Sequence, residues 1–169
     1  MTSGLNTYIF FDLEESKNQK LVFNMAKSIQ LANEMKNQNI EIKKNACYHN
    51  VFYTQNNTKY DIVYCYVEHP LLTGQNNNKV FIRHCMFVDI KNKEYICPTF
   101  GKYSNNEITG MILPFAFIKN SFYNKYLVTF LKTKCPDGRV SYNPSKKIKQ
   151  EQSFEAEMMK NNYFALGDL

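Results

Sequence analysis

The chain has 169 residues, enough for one domain with a real apolar core that needs neither disulfides nor a metal. At 44% hydrophobic and 15% aromatic residues it is too apolar to stay disordered, and no apolar run reaches the length of a membrane span. The net charge of +6 is spread over scattered lysines, with small knots at Lys43-Lys44 and Lys146-Lys147-Ile148-Lys149. A nucleic-acid binder gathers its charge on one face or stripe, so this pattern argues against nucleic acid as a partner.

Five cysteines, Cys47, Cys65, Cys85, Cys97 and Cys135, leave one unpaired in any disulfide scheme, and none of their spacings is CxxC. The apolar run Tyr8–Phe11 meets Asp12, Glu14 and Glu15 at once, unlike a signal peptide. The expectation is a cytoplasmic, reducing setting with free thiols and no membrane contact. The abundance of asparagine and lysine fits AT-rich coding.

In chain order, a short strand is expected at Tyr8–Asp12. The helical spacing of Leu21, Met25, Ile29, Leu31, Ala32 and Met35 predicts one helix over residues 13–38, capped by Asp12 or Ser16. A polar approach, residues 40–46, leads to a second helix from Ala46 to about Tyr53, with Asn45 as its cap. Strands follow at Tyr60–Glu68, Lys79–Ile90 and Lys93–Pro98, the last two joined as a hairpin around Lys91-Asn92-Lys93. The Leu71–Asn78 stretch between the first two reads as a surface loop. A fourth strand at Gly110–Ile118 contains Pro114, which suggests an edge or a bulge. A helix at Ser121–Lys132, a turn at Cys135-Pro136-Asp137-Gly138 and a helix near Ser153–Asn161 complete the reading, with the segment from about 150 loosely attached. Helices first and strands later indicate an α+β fold, with the N-terminal helices packed on an antiparallel sheet in a single domain over residues 1–169.

Cys47 and His84 carry the chemical signal. A helix start offers unpaired N–H groups and a partial positive charge, which favour a thiolate and can hold an oxyanion. Cys47 falls at such a start, and His84 falls on a later apolar strand. A histidine beside a thiol can take its proton and act as general base and acid. Other chemistry has less to stand on. There is no phosphate loop, dinucleotide fingerprint or GxSxG elbow. Among Cys65, Cys85, Cys97 and His84 only the adjacent His84-Cys85 are close in sequence, and their side chains diverge. No cofactor and no metal are expected.

The ordered segments Cys47-Tyr48-His49-Asn50, Tyr64-Cys65-Tyr66-Val67, His84-Cys85-Met86-Phe87-Val88-Asp89 and Ile96-Cys97-Pro98-Thr99 resemble those of transglutaminase-like and papain-like cysteine enzymes, most closely a small bacterial and phage-encoded branch. The resemblance covers residues 45–99. It implies a papain-like or transglutaminase-like fold, with Cys47 as nucleophile and His84 as base, acting on a protein, peptide or small amide or thioester. It also implies an orienting acid before Pro98-Thr99, where this chain has Cys97. Asp89 is the other candidate for that role, but an odd separation from His84 puts the two on opposite faces of a regular strand. Asn45 is a candidate oxyanion donor beside the Cys47 backbone N–H. A second reading takes the Cys97 substitution as decay and the chain as a protein-binding module, possibly of phage origin.

Overall fold

In the computed structural model, which describes residues 8–69, 71–72, 78–104, 110–120 and 149–168, seven strands form one sheet flanked by helices. The expected helix at Ser121–Lys132, the turn at Cys135–Gly138 and most of the loop Leu71–Asn78 lie outside the described residues.

The first third divides where one helix was expected. Strand β1 (Tyr8–Phe10) leads into helix α1 (Leu13–Lys17). The Asp12 carboxylate accepts the Glu15 N–H at 2.9 Å, and the Glu15 carboxylate accepts the Asp12 N–H at 3.1 Å, a reciprocal capping box. The chain then extends as β2 (Val22–Phe23), which pairs in parallel with Glu94–Tyr95. A new helix, α2 (Met25–Asn37), starts where the Asn24 side chain accepts the Lys27 N–H at 2.9 Å. Sheet pairing at Val22–Phe23 and this second N-cap outweigh the helical periodicity of the stretch.

Helix α3 (Cys47–Thr54) is followed by a 3₁₀ turn at Gln55–Asn57. Strand β3 (Asp61–Glu68) pairs antiparallel with β4 (Lys79–Asp89), which pairs with β5 (Glu94–Ile96). Lys93, at φ 55°, makes the left-handed step of the hairpin. The expected third strand stops at Ile96, because Cys97 caps a short helix, α4 (Pro98–Tyr103), with proline in its first turn. Strand β6 (Ile112–Ile118) is not at an edge: it lies between β1 and β3. Pro114 is accommodated by a bulge, since Tyr64 pairs with Ala116 but Cys65 pairs with Pro114.

The C-terminal segment contributes to both the core and the sheet. Helix α5 (Lys149–Lys160) buries Phe154 and Met158, and strand β7 (Tyr163–Asp168) pairs in parallel with the first half of β4. The sheet is therefore mixed, with order β1-β6-β3-β4-β5-β2 and β7 beside β4. The fold is α+β, but its sheet is not purely antiparallel.

Alternation along β3 and β4 feeds two apolar clusters. Ile62, Tyr64, Tyr66, Phe81, Cys85 and Phe87 join residues of α1, α2, α3 and α5 in one. Val63, Cys65, Val67, Met86 and Val88 join Tyr95, Cys97 and Phe117 in the other. Apolar contacts on both faces explain why these strands read as continuous apolar runs.

Candidate functional site

His84 stands in the middle of β4, directly across from Cys65 on β3, and strand alternation gives it the face of Met86. Its ring is held on two sides. Nε2 lies 3.2 Å from the Cys97 sulfur, and the ring stacks on Phe100 with centroids 4.4 Å apart and planes 16° from parallel. Nδ1 is buried and, among the described residues, has no hydrogen-bond partner.

Cys97 is placed by backbone geometry. As the N-cap of α4 it is extended (φ −130°, ψ 110°), and its sulfur accepts the Phe100 N–H at 3.4 Å. Its own N–H donates to Ser28 Oγ at 2.9 Å, and Ser28 Oγ donates to the Asn24 carbonyl at 2.7 Å. Helix α4 can approach α2 this closely because position 101 is glycine: any Cβ there would collide with the Ser28 carbonyl.

Cys47 is the first residue of α3, and it is fully buried in the cluster that holds Tyr48, Val51, Tyr64 and Cys85. Cys47 and Cys97 both add to burial in disfavouring ionisation of Cys65. One nitrogen of His84 is taken by Cys97, and among the described residues the other has no partner.

The remaining predicted residues fall elsewhere. The Asp89 carboxylate accepts the Asn92 N–H at 3.1 Å and the Asn92 side-chain amide at 2.7 Å, and lies 3.8 Å from the Lys27 ammonium. It closes the hairpin, and Cys97 takes the place beside His84. Asn45 is not the cap of α3. It is exposed in the left-handed region at φ 55°, one residue before Ala46, which occupies the cap position and offers no side-chain bond. His49 is 9% exposed and packs on Tyr53 with ring centroids 4.5 Å apart.

Electrostatics keep the centre neutral. Burial pushes His84 down from 6.5 to about 3, so the ring is uncharged at neutral pH. Burial pushes the Cys97 thiol up to about 12, against the opposing help of the Phe100 and Thr99 backbone bonds and the Thr99 side chain. The Cys65 thiol is raised, first by burial and then by Cys97 and Cys47.

One residue of the first segment was given no role by its sequence position. Asn50, wholly buried one turn after Cys47, accepts the Lys43 N–H at 2.9 Å. Its amide donates to the Lys43 carbonyl and to Thr99 Oγ1, each at 2.8 Å. The signal was there as an amide inside an otherwise apolar helical turn, which needs several partners once buried.

Among the described residues, no group of three or more His, Cys, Asp or Glu is arranged to hold a metal ion, and no helix is long and apolar enough to cross a membrane. Comparison with family models, curated proteins and solved structures finds no match for the chain.

Proposed function

We propose that the chain is a thiol hydrolase or acyltransferase of transglutaminase-like or papain-like type, with Cys47 as nucleophile, His84 as base and Cys97 as the group that orients the ring. The observation that carries this reading is the 3.2 Å contact between His84 Nε2 and the Cys97 sulfur, which engages one ring nitrogen and leaves the other without a partner among the described residues. With Nε2–H donating to the sulfur, the lone pair lies on Nδ1, the form a general base needs.

In this mechanism the centre opens so that Cys47 meets Nδ1. The Cys47 sulfur attacks the carbonyl carbon of an amide, peptide or thioester while its proton passes to Nδ1. The backbone N–H groups at the start of α3 receive the oxyanion. The carbon–leaving-group bond breaks, the leaving group takes the proton from Nδ1, and an acyl thioester remains on Cys47. Water or an amine then gives its proton to Nδ1 and attacks the thioester. The carbon–sulfur bond breaks, and the proton returns to the Cys47 sulfur.

A second reading has its own observation. Cys47, His84 and Cys97 are each 0% exposed, and a neutral thiol stabilises an imidazolium far less than a carboxylate does. That combination favours a non-catalytic descendant of the same fold that acts by binding another protein.

Timed alkylation of the intact protein with iodoacetamide, read by peptide mass spectrometry at neutral pH, separates the two. The enzyme reading expects Cys47 to react at least tenfold faster than the other thiols and expects His84→Ala to abolish the difference. Uniformly slow labelling of all five cysteines, together with full biological activity of Cys47→Ala, establishes the binding reading instead.

A further inference from the structure

The segment before Cys47 and the segment after Cys97 are tied together at three points. Asn50 joins the Lys43 backbone to Thr99 Oγ1 through bonds of 2.8 to 2.9 Å. The Lys102 ammonium and the Tyr103 hydroxyl both donate to the Ile42 carbonyl, at 2.9 and 2.7 Å. The last two sit at the partly exposed end of α4, whereas Asn50, in α3, is 0% exposed and bonds Thr99 in the first turn of α4, two residues after Cys97. A planar amide with three fixed bonds in a dry site has one geometry in which all are satisfied. The first turn of α3, which carries Cys47, and the first turn of α4, which holds Cys97 against His84, are set relative to each other by that amide.

We infer that Asn50 is a positioning residue, which through Thr99 and Lys43 sets the Cys47 helix start against the His84–Cys97 pair. This deepens the thiol-enzyme reading and rests on it for the word positioning. Asn50 touches neither the sulfur of Cys97 nor the His84 ring in any bond described above, so it acts through Thr99 and the backbone. Loss of the amide leaves the Lys43 N–H, the Lys43 carbonyl and the Thr99 hydroxyl to find other partners, and frees α4 to turn about its contact with α2.

The test compares Thr99→Val with Thr99→Ser, and Asn50→Ala with wild type. Two readouts are taken: the iodoacetamide rate of Cys47 with its pH profile, and the ¹⁵N shifts of the His84 ring, which report the tautomer and the Nε2 contact. Valine is nearly isosteric with threonine and lacks the acceptor, while serine keeps it. The expected result is a loss of tenfold or more in the Cys47 rate and displaced His84 ring shifts in Thr99→Val and Asn50→Ala, with Thr99→Ser close to wild type. If Asn50→Ala does not fold, Asn50→Asp, which keeps the acceptor for the Lys43 N–H and loses the donor to Thr99, takes its place beside the valine and serine pair. If wild-type Cys47 shows no preferential reaction, the enzyme reading fails, and the ring shifts still judge the positional claim. Wild-type His84 shifts in a folded Thr99→Val protein overturn the inference, as does a Thr99→Ser protein as impaired as Thr99→Val.

Discussion

Arg83 and His84 are neighbours on β4 and point to opposite faces of the sheet, and their fates differ. Arg83 is 3% exposed and remains a cation, because Glu155 accepts its Nε–H at 2.6 Å and its Nη2–H at 3.0 Å. Glu151 lies 3.5 Å away, and the hydroxyls of Tyr64 and Tyr66 donate to Glu151 and Glu155. Burial pulls the guanidinium pKa down, but the Glu155 bonds and charge more than compensate. His84 is equally buried and meets a sulfur and an aromatic face, so burial alone governs it and the ring is neutral. Within this interior a charge persists where carboxylates receive it, and depth by itself decides little.

The largest effect is expected on the charged side. Arg83→Leu would leave Glu155 buried beside Tyr66 with its main cation gone, a loss of about 3–5 kcal/mol. Urea unfolding at neutral pH measures it, and a loss below about 1 kcal/mol would show that the carboxylates carry α5 without the arginine. The neutral side gives a pH signature instead. His84 binds a proton near pH 6.5 when unfolded and only near pH 3 when folded, so the unfolded state holds more protons between those values. Stability therefore rises with pH across that window, by at most about 1.4 kcal/mol per unit from this one group. Unfolding of wild type and His84→Leu from pH 4 to 7 should give a steeper slope for wild type. Parallel slopes would mean that the ring already has a charge-stabilising partner.

The sequence carried the elements whose burial is simple. The two long strands were visible as apolar runs, and the helix at Cys47 began within a residue of its expected start. What stayed hidden depended on distant partners. Val22–Phe23 leave the helical pattern only because β5 offers them a ladder. Pro98-Thr99 read as a strand end, although Cys97 can cap a helix there because Ser28 receives its N–H. Strand β7 follows a helix with little periodicity of its own and owes its place to the edge of β4. At the site, the pairing of position 97 with His84 is a register fact, settled by Phe87 facing Ile96 across the hairpin. Asn50 was visible as part of a segment, but its role required knowing that Lys43 and Thr99 meet it.

The comparison can be inverted by giving His84 what Arg83 has. In Cys97→Asp a carboxylate would face Nε2, which favours the imidazolium and should raise the His84 pKa by about 1–3 units. Titration followed by imidazole NMR reads the shift. An unmoved pKa would mean that the aspartate takes up a proton itself or turns to the Thr99 and Phe100 N–H groups. A raised one, with faster Cys47 alkylation, would identify the thiol at position 97 as what holds the ring neutral.

The smallest effect tests whether the Arg83 side depends on charge or on its hydrogen-bond count. Tyr66→Phe deletes the 2.9 Å bond to Glu155 and keeps the ring stacked on Phe154, whose centroid lies 5.2 Å away. Glu155 retains both bonds from Arg83, so the expected loss is that of one hydrogen bond to a charged group, about 1.5 kcal/mol. Thermal or urea unfolding measures it against Arg83→Leu, and the double variant completes the cycle. If the two single losses are equal, the tyrosine hydroxyl matters as much as the cation, and what distinguishes the two faces of β4 is the number of donors around each carboxylate. If the tyrosine loss is less than half the arginine loss, charge pairing is what sets residue 83 apart from residue 84.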